Sequence, residues 1–188
     1  MIERENLGYI ISTVVGYEAP LTRLLASMPM HAHCAIVAGR GGNRTESETS
    51  FGISVNVPHN SFDYTALIDL VEYPDSYPDW SHVFLLHDTM ELGPQSDILI
   101  RSVDPTLASI AAWGGECNLC LYRVDYLASR RDEIVALKDC TKLRAVQAEG
   151  FLWRTLSEGR RGSSIGEQEI TEPTAAYAGA PRRRIYYA

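Results

Sequence analysis

The chain has 188 residues, 45% hydrophobic and 22% charged, and a formal net charge of −7. That length supports one globular domain with a full core and leaves two independent domains cramped. The acidic balance argues against a general nucleic-acid binder, because neutralising phosphates needs a clustered positive surface.

Met1 to Asn6 carries two acids and lacks the basic and then apolar blocks of a signal peptide. No apolar stretch approaches the roughly 20 residues a spanning helix needs. A soluble, cytoplasmic protein without a transmembrane segment is expected. Four cysteines are few for this length, and a disulfide framework is not expected. Cys117 and Cys120 have the two-residue gap of a zinc pair, but no second pair follows, so buried thiols are the expectation.

Gly8 to Val15 reads as a β-branched strand. Gly16 to Pro20 turns it into a helix in which Leu21, Leu24, Leu25 and Met28 recur at helical spacing. A second strand, His33 to Ala38, runs into Gly39-Arg40-Gly41-Gly42-Asn43 and a polar stretch through Ser50 that reads as loop. Phe51 to Val57 alternates as a third strand. The helical run Tyr64 to Val71 follows, with Asn60, Ser61 or Asp63 available as its cap.

The fourth strand, His82 to Leu86, breaks abruptly into His87-Asp88-Thr89. A short helix is expected after Pro94, ending near Asp104-Pro105. Ala108 to Trp113 and Asn118 to Arg123 are strand-like. Asp125 to Asp139 is helical, and Thr141 to Leu156 reads as a clearer helix with Leu143, Val146, Gly150, Phe151 and Leu156 on one face. The expected division is a single α/β domain over 1–158, then a flexible connector and a basic, aromatic tail over 159–188.

Strands alternating with helices imply an α/β fold with a mainly parallel central sheet flanked by helices, and ligands beyond the carboxyl ends of its strands. Gly16-Tyr17-Glu18, Gly39 to Asn43 and His87 to Glu91 should meet at that edge. The Gly-Arg-Gly-Gly loop lacks both the dinucleotide fingerprint and the lysine of a P-loop.

Three patterns within residues 8 to 160 resemble the nucleotide-diphospho-sugar transferases, the GT-A glycosyltransferases. The apolar strand ending at His87-Asp88-Thr89 stands where that family carries Asp-x-Asp. Glu116 to Leu127 is similar to its acceptor-side segment, where a strand carrying Tyr-Arg runs into a helix. Ala148-Glu149-Gly150 falls where inverting members place a catalytic base. The chain departs in having one carboxylate where two are usual, and Gly-Arg-Gly-Gly where the family has Asp-Gly-Ser.

The resemblance implies a glycosyltransferase moving a sugar from a nucleoside diphosphate to an unidentified acceptor. A divalent cation, Mn or Mg, would be held by Asp88 with His87 or Glu91; an imidazole ligand favours Mn. Tyr17 and Glu18 would meet the nucleobase, with Asn60 and Asp63 nearby. Arg182 and Arg183 would fold back onto phosphate oxygens. Glu149 would be the general base, making inversion the favoured course, with Glu116 its competitor.

Each residue also has a plainer reading. His87 suits a strand-end histidine bonded to a carbonyl, Asp88 a turn cap, Tyr17 a core-edge aromatic, Asn60 and Asp63 helix caps, and Glu149 a solvated helix residue. A non-catalytic binding module of the same fold is the second functional reading. A metal-dependent hydrolase built on His59, His82, His87 and Asp88 is the third.

Overall fold

The computed structural model describes residues 1–94, 96–107, 109–111, 120–148, 151–154, 167–170 and 182–185. A seven-stranded sheet forms its centre. The strands are β1 (Leu7–Val14), β2 (His33–Gly39), β3 (Thr45–Thr49), β4 (Gly52–Asn56), β5 (His82–His87), β7 (Ser109–Ala111) and β8 (Cys120–Arg123); β6 (Met90–Leu92) lies outside it. Their order across the sheet is β3-β4-β2-β1-β5-β8-β7.

The fold is α/β as expected, but the sheet is mixed rather than mainly parallel. β1 pairs in parallel with β2 and β5, and β2 with β4, whereas β3, β8 and β7 all join by antiparallel pairing. Of the parallel strands, β1, β2 and β5 are apolar runs buried on both faces, as parallel sheets favour, whereas β4, Gly-Ile-Ser-Val-Asn, next to the edge, is only partly buried. β3, Thr-Glu-Ser-Glu-Thr, falls where a loop was expected. All five of its residues are exposed, so it carries no apolar alternation, and its glutamates suit an edge that must not pair further.

Two helical layers cover the sheet. Alternate residues of β1 and β5 divide between them: Tyr9, Ile11, Phe84 and Leu86 pack with Leu24 of α1 (Glu18–Ser27) and Ile100 of α3 (Ser96–Ser102). Ile10, Val83 and Leu85 pack on the other face with Leu67 and Ile68 of α2 (Thr65–Glu72). That second layer also holds α4 (Val124–Ser129), α5 (Arg131–Val135), α6 (Lys142–Ala148) and α7 (Phe151–Arg154). Gly8 is needed for close packing, because a Cβ there would lie 2.1 Å from the Trp80 ring.

Two helical expectations are corrected. The segment expected to run from Asp125 to Asp139 is broken at Arg130 into α4 and α5. On α6 the buried residues are Ala145 and Ala148, while Leu143 and Val146 point to solvent. The large residues had suggested the opposite face, but only small side chains fit where α6 approaches the 3-10 turn at Phe62–Tyr64.

The C-terminal segment contributes a second, three-stranded sheet. β10 (Arg182–Ile185) lies parallel to β6 and antiparallel to β9 (Glu167–Ile170). The register sets Arg183 opposite Met90 and Glu169, and Arg184 opposite Glu91 and Gln168.

Candidate functional site

In this order, β2 and β4 lie on one side of β1 and β5 on the other. The chain therefore reverses direction across the sheet between β1 and β5, and the crevice beyond their carboxyl ends is the expected ligand position. Ser12 pairs in register with His87 there, which brings Thr13 level with Asp88.

Asp88 is 6% exposed, and its Oδ2 accepts a 2.6 Å hydrogen bond from the Thr13 hydroxyl. Contacts of this kind fix a carboxylate's orientation around a ligand. His87 is half-buried, and its Nδ1 lies 2.6 Å from the Thr89 hydroxyl. With Nδ1 as the donor, the lone pair of the neutral ring is on Nε2, the tautomer a metal-binding histidine uses.

Tyr17 precedes α1 and is 37% exposed; Glu18, the helix's first residue, accepts from the Gly16 N–H at 3.2 Å. Both stand beyond β1, as expected. Asn60 and Asp63 do not cap α2, whose N-cap position is Tyr64 and carries no side-chain cap bond. The Asn60 Oδ1 instead accepts from the Phe62 N–H, and the Asp63 carbonyl accepts from the Ser12 hydroxyl. Ser12 also accepts from the Ala66 N–H, so this one hydroxyl ties the end of β1 to the start of α2.

The carboxyl ends of β2 and β4 are held together by backbone. The Arg40 N–H donates to the His59 carbonyl, and a Cβ on Gly39 would lie 2.8 Å from that same oxygen. Arg40, Phe62 and Asp139 all occupy the left-handed region, with φ of 63°, 56° and 54°. Non-glycine residues there cost of order 1–3 kcal/mol each and persist only where their surroundings impose them. All three meet His59-Asn60-Ser61: Arg40 and Asp139 through backbone N–H donors, Phe62 by following Ser61 directly.

His59 is buried and shares a 3.0 Å hydrogen bond with Ser61. Burial, assisted by Lys138, lowers its pKa below the ordinary histidine value. His82, buried at the start of β5 between the Ser81 hydroxyl and the Pro105 carbonyl, is lowered for the same reason. Both histidines therefore protonate more readily unfolded than folded, so stability is full above about pH 6.5 and falls as pH drops through that value. The melting temperature is expected to decrease from pH 7.5 to 5.5, and a His59→Gln/His82→Gln protein should show a flatter profile by calorimetry.

His82 and His87 are the first and last residues of β5, roughly 16 Å apart at about 3.3 Å per residue, and His59 is bonded elsewhere. Among the described residues, no group of three or more His, Cys, Asp or Glu side chains gathers to hold a metal ion. Nor is any described helix long and apolar enough to cross a membrane. Cys34, Cys120 and Cys140 are free thiols, and burial pushes Cys34 up to about 12.

His87 and Asp88 thus end β5 at the β1–β5 crevice, Tyr17 and Glu18 follow β1, and Asp63 is tied to the end of β1 through Ser12, while Asn60 bonds within its own turn. The backbone of Arg183 pairs with the first residue of β6, which begins two residues after Asp88, and Arg182 precedes it on β10. Glu116 and Glu149 lie outside the described residues. Thr13 escaped the sequence reading because a threonine in a β-branched strand looks like a strand former. Its partner is 75 residues away.

Searches against models of protein families, against curated proteins and against solved structures found no match to this chain.

Proposed function

We propose that this chain is a glycosyltransferase of GT-A type that takes its sugar from a nucleoside diphosphate and places it on an acceptor hydroxyl. The observation that carries the reading is the pairing of Asp88 with Thr13 at the β1–β5 crevice, beside exposed Tyr17 and the arginine strand β10. The aromatic face of Tyr17 suits stacking on a base.

The edge is acidic, with Glu18, Asp63, Asp88 and Glu91 near it, so a diphosphate needs countercharge. Asp88 would hold a hard divalent cation, with His87 as a second ligand if its ring turns to the same side, and the phosphates would complete the shell, as is usual for Mg or Mn. Such a cation would neutralise the charge that develops on the departing diphosphate. Arg182 and Arg183 would add countercharge through their guanidinium forks.

In the reaction the acceptor oxygen attacks the anomeric carbon and loses its proton to the Glu149 carboxylate. The bond to the diphosphate breaks with its electron pair leaving on the phosphate oxygen. A base opposite the leaving group gives inversion; Glu116 is the alternative base.

A thermal-shift series with UDP, GDP, ADP and CDP, each with and without Mn, tests this reading. A ligand at 100 times its dissociation constant adds about 2.7 kcal/mol, which for a chain of this size raises the melting temperature by roughly 5–11 °C. At least one diphosphate should do so, more strongly with Mn. No shift with any of them sinks the proposal.

A further inference from the structure

At the opposite end of β1 lies a cavity of about 410 Å³, between the start of that strand, the segment before β2, and α3. Its volume falls in the range of small-molecule sites. It is independent of the transferase site, because Leu7 and Val14 at the two ends of β1 are roughly 23 Å apart at about 3.3 Å per residue. Leu7 and Tyr9 line its inner side, both 2% exposed. Met30 and Ile98 also line it and are 90% and 61% exposed, so both can move to meet a ligand.

The polar wall is under-bonded. The Tyr9 hydroxyl reaches Asp97 Oδ1 only at 3.5 Å, the outer limit for an O–H···O bond, whose usual length is about 2.7–2.8 Å. Behind the lining, Arg101 Nε stands 3.6 Å from Asp97 Oδ2 without hydrogen-bonding it. Arg4 Nη2 contacts that same oxygen at 3.2 Å. Two guanidinium groups flank one carboxylate, so the wall offers no free anion for a cationic ligand. What it offers is the long gap between Tyr9 and Asp97. A hydroxyl entering it accepts from Tyr9 and donates to Asp97 Oδ1, replacing one poor bond with two good ones.

We propose that this cavity binds a neutral, mainly apolar small molecule through a single hydroxyl group held between Tyr9 and Asp97. Met30 and Ile98 would close over the apolar body, methionine being well suited to irregular shapes.

The test uses the full chain and two probes, 2-naphthol and 2-methoxynaphthalene, titrated by saturation-transfer NMR. The ether keeps the apolar body and an acceptor oxygen but has no proton to give Asp97. Saturable binding of 2-naphthol, at least tenfold weaker binding of the ether, and at least tenfold loss in Asp97→Ala are expected. Because Asp97→Ala also removes two ion pairs, Ile98→Lys, at an exposed position, serves as the second variant. It should retain the wild-type melting temperature and lose binding. Absence of saturable 2-naphthol binding, equal affinity for the two probes, or undiminished binding by Ile98→Lys overturns the proposal. Binding should persist in Asp88→Ala, which separates this site's failure from failure of the transferase reading.

Discussion

Replacing Asp69 by alanine is expected to destabilise the protein by about 3–5 kcal/mol, the range found when one partner of a buried ion pair is removed. Asp69 lies on α2 and is 1% exposed. Its two oxygens accept from Arg44 Nε and Nη2 at 2.8 and 3.0 Å, and Oδ2 also accepts from the Tyr77 hydroxyl at 2.6 Å. Arg44 in turn lies 4.1 Å over the Tyr73 ring and pairs with Glu46 of β3, which takes the Ser76 hydroxyl at 2.6 Å. One buried carboxylate thus joins the β3 edge, α2 and the turn that follows it.

Without it, the buried Tyr77 phenol loses its acceptor and Arg44 keeps only its pairing with exposed Glu46, and that desolvation penalty, more than the lost attraction, sets the size of the effect. At roughly 2–4 °C per kcal/mol for a chain this long, the melting temperature should fall by about 6–20 °C. Tyr77→Phe removes one hydroxyl and should cost only about 1–2 kcal/mol. The exposed pair Arg130 and Glu133 provides the contrast, since Glu133→Ala should change stability by less than about 1 kcal/mol. Chemical denaturation of the three variants measures all of this; an Asp69→Ala protein within 1 kcal/mol of wild type would show that the cluster is not structural.

That cluster also marks where the sequence stops being legible. β1, β2 and β5 are readable because strands buried on both faces must be continuous apolar runs, and β4 because its segment alternates. β3 is not, because an edge strand exposed throughout is selected against apolar pattern. The turn residues of the three carboxyl-end loops could be placed at one edge because parallel strands put all such loops there. Which loop residues bond to which depends on register: Ser12 reaches the Asp63 carbonyl 51 residues away, and Thr13 reaches Asp88. Sequence spacing says nothing about such pairs. β10 is unreadable for a similar reason, since three successive arginines signal a solvated tail and the strands they line up with, β6 and β9, lie far away in sequence.

Asp88→Ala carries the largest expected effect on function. Under the transferase reading the carboxylate is a direct ligand or holds the cation through water, and the Thr13 hydroxyl at 2.6 Å fixes which way it faces. Its loss should abolish the Mn-dependent part of the thermal shift and lower transfer about 10²–10³-fold, as removal of one preorganised charge-stabilising group does elsewhere. Thr13→Val should act in the same direction but more weakly, about tenfold, because it disturbs only the orientation of a ligand that is still present. An Arg182→Gln/Arg183→Gln protein separates the two sources of countercharge: it should weaken diphosphate binding equally with and without Mn, whereas Asp88→Ala should weaken it only with Mn. Isothermal titration with the diphosphate that shifts the melting temperature most reads both effects. Unchanged affinity in Asp88→Ala, with or without Mn, would leave the fold as a binding module and remove the reason for placing a reaction at this crevice.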